Sequence, residues 1–118
     1  MITIDSLKSF GANADEGLAR CMNMESFYLD LVKKMLNDTG IEDLEKLLSD
    51  GDLDGAFEKA HALKGVYGNL SLTPIAVPLS ELTDHLRGRS GGGEAAIIEK
   101  CLPLLAKAKE EKQKLSEM

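Results

Sequence analysis

His61 stands in the stretch AHALKGVYGNL, residues 60–70, with a lysine three positions on and glycines at positions 65 and 68. An imidazole with accessible nitrogens is a nucleophile, and its ordinary pKa of about 6.5 leaves much of it neutral near pH 7. A lysine at i+3 on a helix sits one turn along the same face, where its ammonium can offset the charge of an anion attached to the ring. By residue type alone, His61 and Lys64 are ordinary surface residues. The glycines argue otherwise. Each glycine inside a helix costs ~1 kcal/mol relative to alanine, so Gly65 and Gly68 together give up about 2 kcal/mol of helix propensity. A loss concentrated on the face of the histidine implies that something must approach it closely.

The helix carrying these residues separates two faces when positions are placed at 100° steps. Ala56, Ala60, Leu63, Tyr67 and Leu70 form an apolar stripe that must meet a core. Phe57, His61, Lys64, Gly65 and Gly68 cluster about 120° away, which directs His61 toward solvent or the edge of the core.

Periodicity predicts helices nearly throughout the chain, and no run alternates as a half-buried strand does. After a short opening segment, Asn23 is the expected cap of a helix with apolar positions Met24, Phe27, Tyr28, Leu31, Val32, Met35 and Leu36, closed by Gly40. A short helix with Leu44, Leu47 and Leu48 inward follows and ends at Asp50–Gly51. The histidine helix runs from an expected cap at Asp54 to Leu70 or Leu72. Thr73–Pro74 signals the start of the next helix, carried by Ile75, Leu79, Leu82 and Leu86 and closed by Gly88. Pro78 falls early in it and removes one backbone bond or delays the start. GRSGGGE reads as a loop, and the last helix starts at Glu94, with Ile97, Ile98, Cys101, Leu102, Leu105 and Ala108 apolar and a kink expected at Pro103. Short connections between such helices favour antiparallel neighbours. The expected fold is all-α: one domain over residues 1–118, an up-and-down antiparallel four-helix bundle with an additional short N-terminal helix.

Composition narrows the functions this bundle can serve. The 118 residues are 43% hydrophobic and 29% charged, a globular balance, and a chain of this length can build a core without staples. With 20 acidic against 14 basic residues the net charge is −6, so neither nucleic acid nor an anionic membrane surface is an expected partner. Cys21 and Cys101 lack metal-ligand spacing and read as small apolar residues of a reduced compartment. The opening MITIDSLKSFGANADEG has neither a basic nor an apolar leader region, and no run approaches the ~20 apolar residues that span a bilayer. The expected location is the cytoplasm.

Other residues carry weaker signals. His85 near Gly88 reads as a solvent-facing or helix-end histidine rather than a metal ligand with His61. Met22, Met24 and Met35 read as core filler or docking-face residues. IEDLEKLLSDGDLD reads as a solvated acidic face, and KAKEEKQKL as an exposed helix of alternating charge. No GxxxxGK[ST] sequence is present, and GRSGGGE follows no strand and lacks the lysine, so it reads as a flexible loop rather than a phosphate cradle.

AHALKG, with a small residue at Gly68, resembles the signature of histidine-containing phosphotransfer (HPt) domains. GLARCMNMESFYLDLVKKM is similar to that family's N-terminal helices, and LSLTPIAVPLSELTDHLR to the segment after its histidine helix. The resemblance implies that His61 is phosphorylated, that Lys64 offsets the phosphoryl charge, and that Gly65 and Gly68 give a docking partner clearance; Phe57, on the same helix face, is a further docking candidate. It further implies a monomeric carrier that takes a phosphoryl group from the aspartate of a receiver domain and passes it to another receiver. The receivers would be those of response regulators or hybrid sensor kinases. No cofactor is expected in this chain, the Mg²⁺ being supplied by the receiver. The sequence departs from the family at Ser71, where glycine is usual, and at Thr83, where an acidic residue commonly follows leucine. A bundle that docks receivers without being phosphorylated, and a small metal-dependent or acid/base enzyme using His61, are the alternatives.

Overall fold

The computed structural model describes residues 2–88 and 93–118, with the backbone alone at Glu94. Among the described residues seven helices follow one another: α1 (Ile4–Phe10), α2 (Ala14–Arg20), α3 (Glu25–Leu36), α4 (Gly40–Ser49), α5 (Leu53–Asn69), α6 (Thr73–Gly88) and α7 (Glu94–Ser116). The fold is all-α, a helical bundle as the periodicity requires. Its N-terminal segment forms two short helices rather than one. Thr3 and Ser6 make a capping box for α1, and Gly11, at φ 105°, closes it in the left-handed conformation that glycine adopts without strain.

α5, α6 and α7 pack in succession as antiparallel neighbours, and the fourth side of the bundle is built from two pieces in series. The phenol of Tyr28 donates to the Leu70 carbonyl at 2.7 Å, which lays α3 along the end of α5. α4 continues past the first half of α5, with Lys59 near Asp43, and α4 also faces α7 through Glu45 and Lys109. The chain therefore runs on from α3 into the short α4 without reversing, and the two together form one side of the bundle. Asp38 explains the local geometry: its carboxylate accepts the Gly40 N–H at 2.8 Å, so a new helix begins at the residue expected to end the old one. A side chain at Gly40 would run into Leu63 and Asp38.

Two other helix starts differ from the sequence signals. Asn23 does not cap α3. It lies at φ 58°, as does Met22, and Met24 precedes the helix without a side-chain cap. Asp52, not Asp54, caps α5, its carboxylate accepting the Gly55 N–H at 2.9 Å. Asp52 and Asp54 have the same capping propensity, so where the apolar stripe must land chooses between them, whereas at α3 the left-handed turn at Met22 and Asn23 overrides the capping propensity of Asn23. Pro78 lies within α6 and is buried, and Pro103 lies within α7 and is exposed. Residues 89–92 of the expected loop lie outside the described residues.

The core gathers apolar residues from every helix. Leu7, Tyr28, Val32, Ile41, Leu44, Leu48, Ala56, Ala60, Tyr67, Ile75, Leu79, Leu82 and Leu86 are fully buried, each large aliphatic contributing about 1.5–3 kcal/mol of transfer free energy. Cys21 and Cys101 are buried free thiols, and burial pushes Cys101 up. Met22 and Met24 are 81% and 54% exposed, so of the three methionines only Met35 packs against the core. The acidic run on α4 is exposed but partnered: Lys112 and Lys109 of α7 reach Glu42 and Glu45. The last helix is not uniformly solvated either, because Glu111 and Leu115 are buried.

Candidate functional site

The stripe Ala56, Ala60, Leu63, Tyr67 and Leu70 is buried without exception, and this orients the other face of α5 outward. On the buried side of α5 lie two phenols, Tyr67 of α5 itself and Tyr28 of α3. Burial pushes Tyr28 up to about 12, and it raises Tyr67 as well, with the nearby Asp38 and Glu42 carboxylates adding to the effect. Both therefore stay neutral hydrogen-bond donors, Tyr28 to the Leu70 carbonyl and Tyr67 to that of Met35 at 3.4 Å.

On the outward face, His61 is exposed, and among the described residues neither ring nitrogen is engaged in a hydrogen bond. Its ring is instead paired with that of Phe57, one turn earlier, in a near-parallel stack with centroids 5.9 Å apart and planes 17° from parallel. Helical side chains lean toward the N-terminus, so the residue at i lies beneath the one at i+4. Near-parallel stacking leaves the edge of this exposed imidazole uncovered. Lys64 is half-buried along its stem and, among the described residues, forms no ion pair with a carboxylate.

Gly65 and Gly68 are the informative glycines. A Cβ built at either would meet nothing within 4 Å, whereas one at Gly17 would strike the Tyr28 ring. Packing within the chain thus explains Gly17 and leaves Gly65 and Gly68 unexplained. Lys64, Gly65, Gly68 and Asn69 line one side of a shallow depression completed by Ala76, Val77 and Ser80 of α6 and by Arg20 of α2. His61 and Phe57 lie outside it.

Sequence reasoning missed two arginines here. Arg20 donates to the Gly68 carbonyl at 2.8 Å, to that of Asn69 at 3.3 Å and to the Ser71 hydroxyl at 3.3 Å. Arg87 places its guanidinium carbon 5.7 Å from the centroid of the Phe57 ring. The local pairs Arg20–Glu16 and Arg87–Asp84 do not announce these contacts, since the acceptors that Arg20 reaches at the end of α5 lie 48–51 residues away and Arg87 belongs to a different helix from Phe57. His85 is exposed on α6, and among the described residues no three His, Cys, Asp or Glu side chains gather as a metal site.

A family model described as the Hpt domain matches residues 28–114. The chain belongs to the Hpt domain family. Searches of curated proteins and of solved structures return no match. Hpt domains act in histidine phosphotransfer within two-component phosphorelays and interact with receiver domains, and the helical bundle described above is the family's architecture. Both departures from the Hpt pattern have structural reasons in this chain. Ser71 sits at φ 57°, the left-handed region that accounts for a glycine there. Its hydroxyl donates to Glu16 at 3.2 Å and accepts from Arg20. Thr83 is fully buried and its hydroxyl donates to the Leu79 carbonyl at 2.7 Å, an environment that suits a hydroxyl and not a carboxylate. Among the described residues, no helix of this Hpt domain is long and apolar enough to cross a membrane.

Proposed function

We propose that this Hpt domain is a monomeric cytoplasmic phosphorelay intermediate that accepts a phosphoryl group on His61 from a receiver aspartate and passes it to another receiver. The observation that carries this reading is the exposed imidazole, whose ring nitrogens make no hydrogen bond among the described residues, beside two glycines at which a Cβ would meet nothing within 4 Å among those residues. In the accepting step the lone pair of a neutral imidazole nitrogen forms a bond to phosphorus. The acyl O–P bond of the phosphoaspartate breaks, and the aspartate leaves as a carboxylate. The reverse sequence returns the group to a second receiver, so the carrier needs neither nucleotide nor redox partner. Because phosphoryl transfer depends on in-line positioning and charge stabilisation, the receiver supplies the Mg²⁺ and this chain supplies an oriented nucleophile with clearance around it.

Lys64 offsets the roughly −1.5 to −2 charges that a phosphoryl group brings to His61. Gly65, Gly68 and the exposed Val77 beside them form a low surface for the incoming receiver, and Phe57, outside that depression on the same helix, extends the docking face beyond His61. The test is incubation of the purified chain with phosphorylated receiver domains. Acid-labile label should appear on the wild type and on His85→Gln and be absent from His61→Gln. Lys64→Ala should take up label but lose it faster. Docking of a receiver without any labelling would instead make the protein an unphosphorylated adaptor.

A further inference from the structure

Phe57 and Arg87 lie at equal sequence distances on either side of Leu72, in the turn between α5 and α6, so the antiparallel hairpin brings the last turn of α6 opposite the first half of α5. This register places the Arg87 guanidinium over the Phe57 ring, 5.7 Å from its centroid, and Phe57 in turn stacks on the His61 imidazole. Arg87 is itself fixed: Asp84, one turn earlier, holds its Nη1 at 3.2 Å, and the C-terminal end of a helix favours a cation. The three side chains form one relay of contacts, from a salt-bridged guanidinium to a phenyl face to the imidazole.

From this arrangement we infer that Phe57 and Arg87 are positioning residues that hold the plane of the His61 ring for phosphoryl attack. The inference rests on the carrier reading of His61 and adds to it how the nucleophile is oriented. An exposed histidine ordinarily samples several rotamers, and only those that point a nitrogen lone pair along the line of the entering phosphorus react. A phenyl ring stacked within 17° of parallel restricts rotation of the imidazole while leaving its edge free. The cation over the phenyl ring restrains the phenyl in turn, because guanidinium is attracted to an aromatic face. Arg87 touches Phe57 and acts through it.

The experiment uses phosphoramidate as the donor, which needs no docking. The imidazole nitrogen bonds to phosphorus, the P–N bond breaks, and ammonia leaves. Phe57→Leu should slow the labelling of His61 about fivefold, a factor that corresponds to about 1 kcal/mol. Phe57→Tyr keeps the aromatic face and should restore the rate. Arg87→Gln should slow labelling about twofold, with Arg87→Lys recovering part of the loss. NMR of the His61 ring supplies the readout that a merely structural role would not move. Its ring protons should lose their upfield ring-current shift, and its side-chain couplings should average, in Phe57→Leu and not in Phe57→Tyr. Wild-type labelling and unaveraged couplings in Phe57→Leu would overturn the inference, as would equal slowing in Phe57→Tyr. A Phe57-dependent reaction with phosphoramidate in a protein that no receiver labels would sustain the positioning role and remove the carrier reading, so the two fail separately.

Discussion

The Arg20 guanidinium of α2 donates to the Gly68 carbonyl of α5 at 2.8 Å, while its other terminal nitrogen holds Glu16 at 2.6 Å. The short N-terminal helix pair is thereby fastened to the turn of α5 whose glycine faces open space. Arg20→Ala should lower stability by about 1 kcal/mol, the usual net worth of such hydrogen bonds at a half-exposed position. Amide exchange should accelerate in α2 more than in α5 or α6. An even rise across all three helices would show that Arg20 supports the whole bundle rather than this junction.

Gly68 separates docking from packing. With nothing within 4 Å of an added Cβ, Gly68→Ala should stabilise the free protein by up to ~1 kcal/mol through helix propensity. Gly68→Gln should also melt higher, yet its bulk obstructs a receiver, and a displacement of about 1 Å at a reacting pair is worth about a hundredfold in rate. Thermal melts and receiver-to-histidine transfer rates on the same proteins check this. Full-speed transfer by a more stable Gly68→Gln would place the docking face elsewhere.

Ser71 combines a left-handed backbone with two side-chain hydrogen bonds. Ser71→Ala removes the bonds and retains the strain, so it should destabilise by about 1–2 kcal/mol. Ser71→Gly removes the same bonds and relieves a strain of roughly 1–2 kcal/mol, so it should lie close to the wild type. Urea unfolding of the three proteins decides the order, and an equal loss in both variants would assign the whole effect to the hydroxyl.

Glu111 is buried between Lys107 at 3.1 Å and Lys114 at 3.3 Å. Burial alone pushes its carboxyl up, but the hydrogen bonds and charges of the two lysines together outweigh it and hold the carboxyl below the ordinary range. A carboxyl depressed in the folded state stabilises above the unfolded value of about 4.3, and that contribution is lost as pH falls through the lower folded value. Glu111→Gln should therefore cost about 1 kcal/mol near neutral pH, and its gap from the wild type should narrow below about pH 4. Urea midpoints measured at about pH 7 and about pH 3 test this. A gap unchanged by pH would mean that Glu111 stabilises by packing.

The apolar stripe of α5 and the outward face bearing His61, Lys64, Gly65 and Gly68 were determined by sequence alone, because both follow from a 100° step within a single helix. The helical class and the existence of α3 to α7 have the same origin, since contacts at i+3 and i+4 write their period directly into the chain. The choice of Asp52 over Asp54 was not legible, since two residues of equal capping propensity lie within two positions, and the start of α3 at Met24 was not legible because the left-handed turn at Met22 and Asn23 overrides local propensity. Nor was the run-on from α3 to α4, which depends on Asp38 and on where Gly40 meets Leu63 across the core. Arg20 at Gly68, Arg87 at Phe57 and the lysine-bound Glu111 of the last helix were decided by tertiary structure. The first two join residues far apart in the chain, and whether they meet depends on the register of one helix against another, which no local period encodes. The i+3 and i+4 spacings of Lys107, Glu111 and Lys114 are visible in sequence, but the burial that gives those ion pairs their weight arises only when α7 closes against α6.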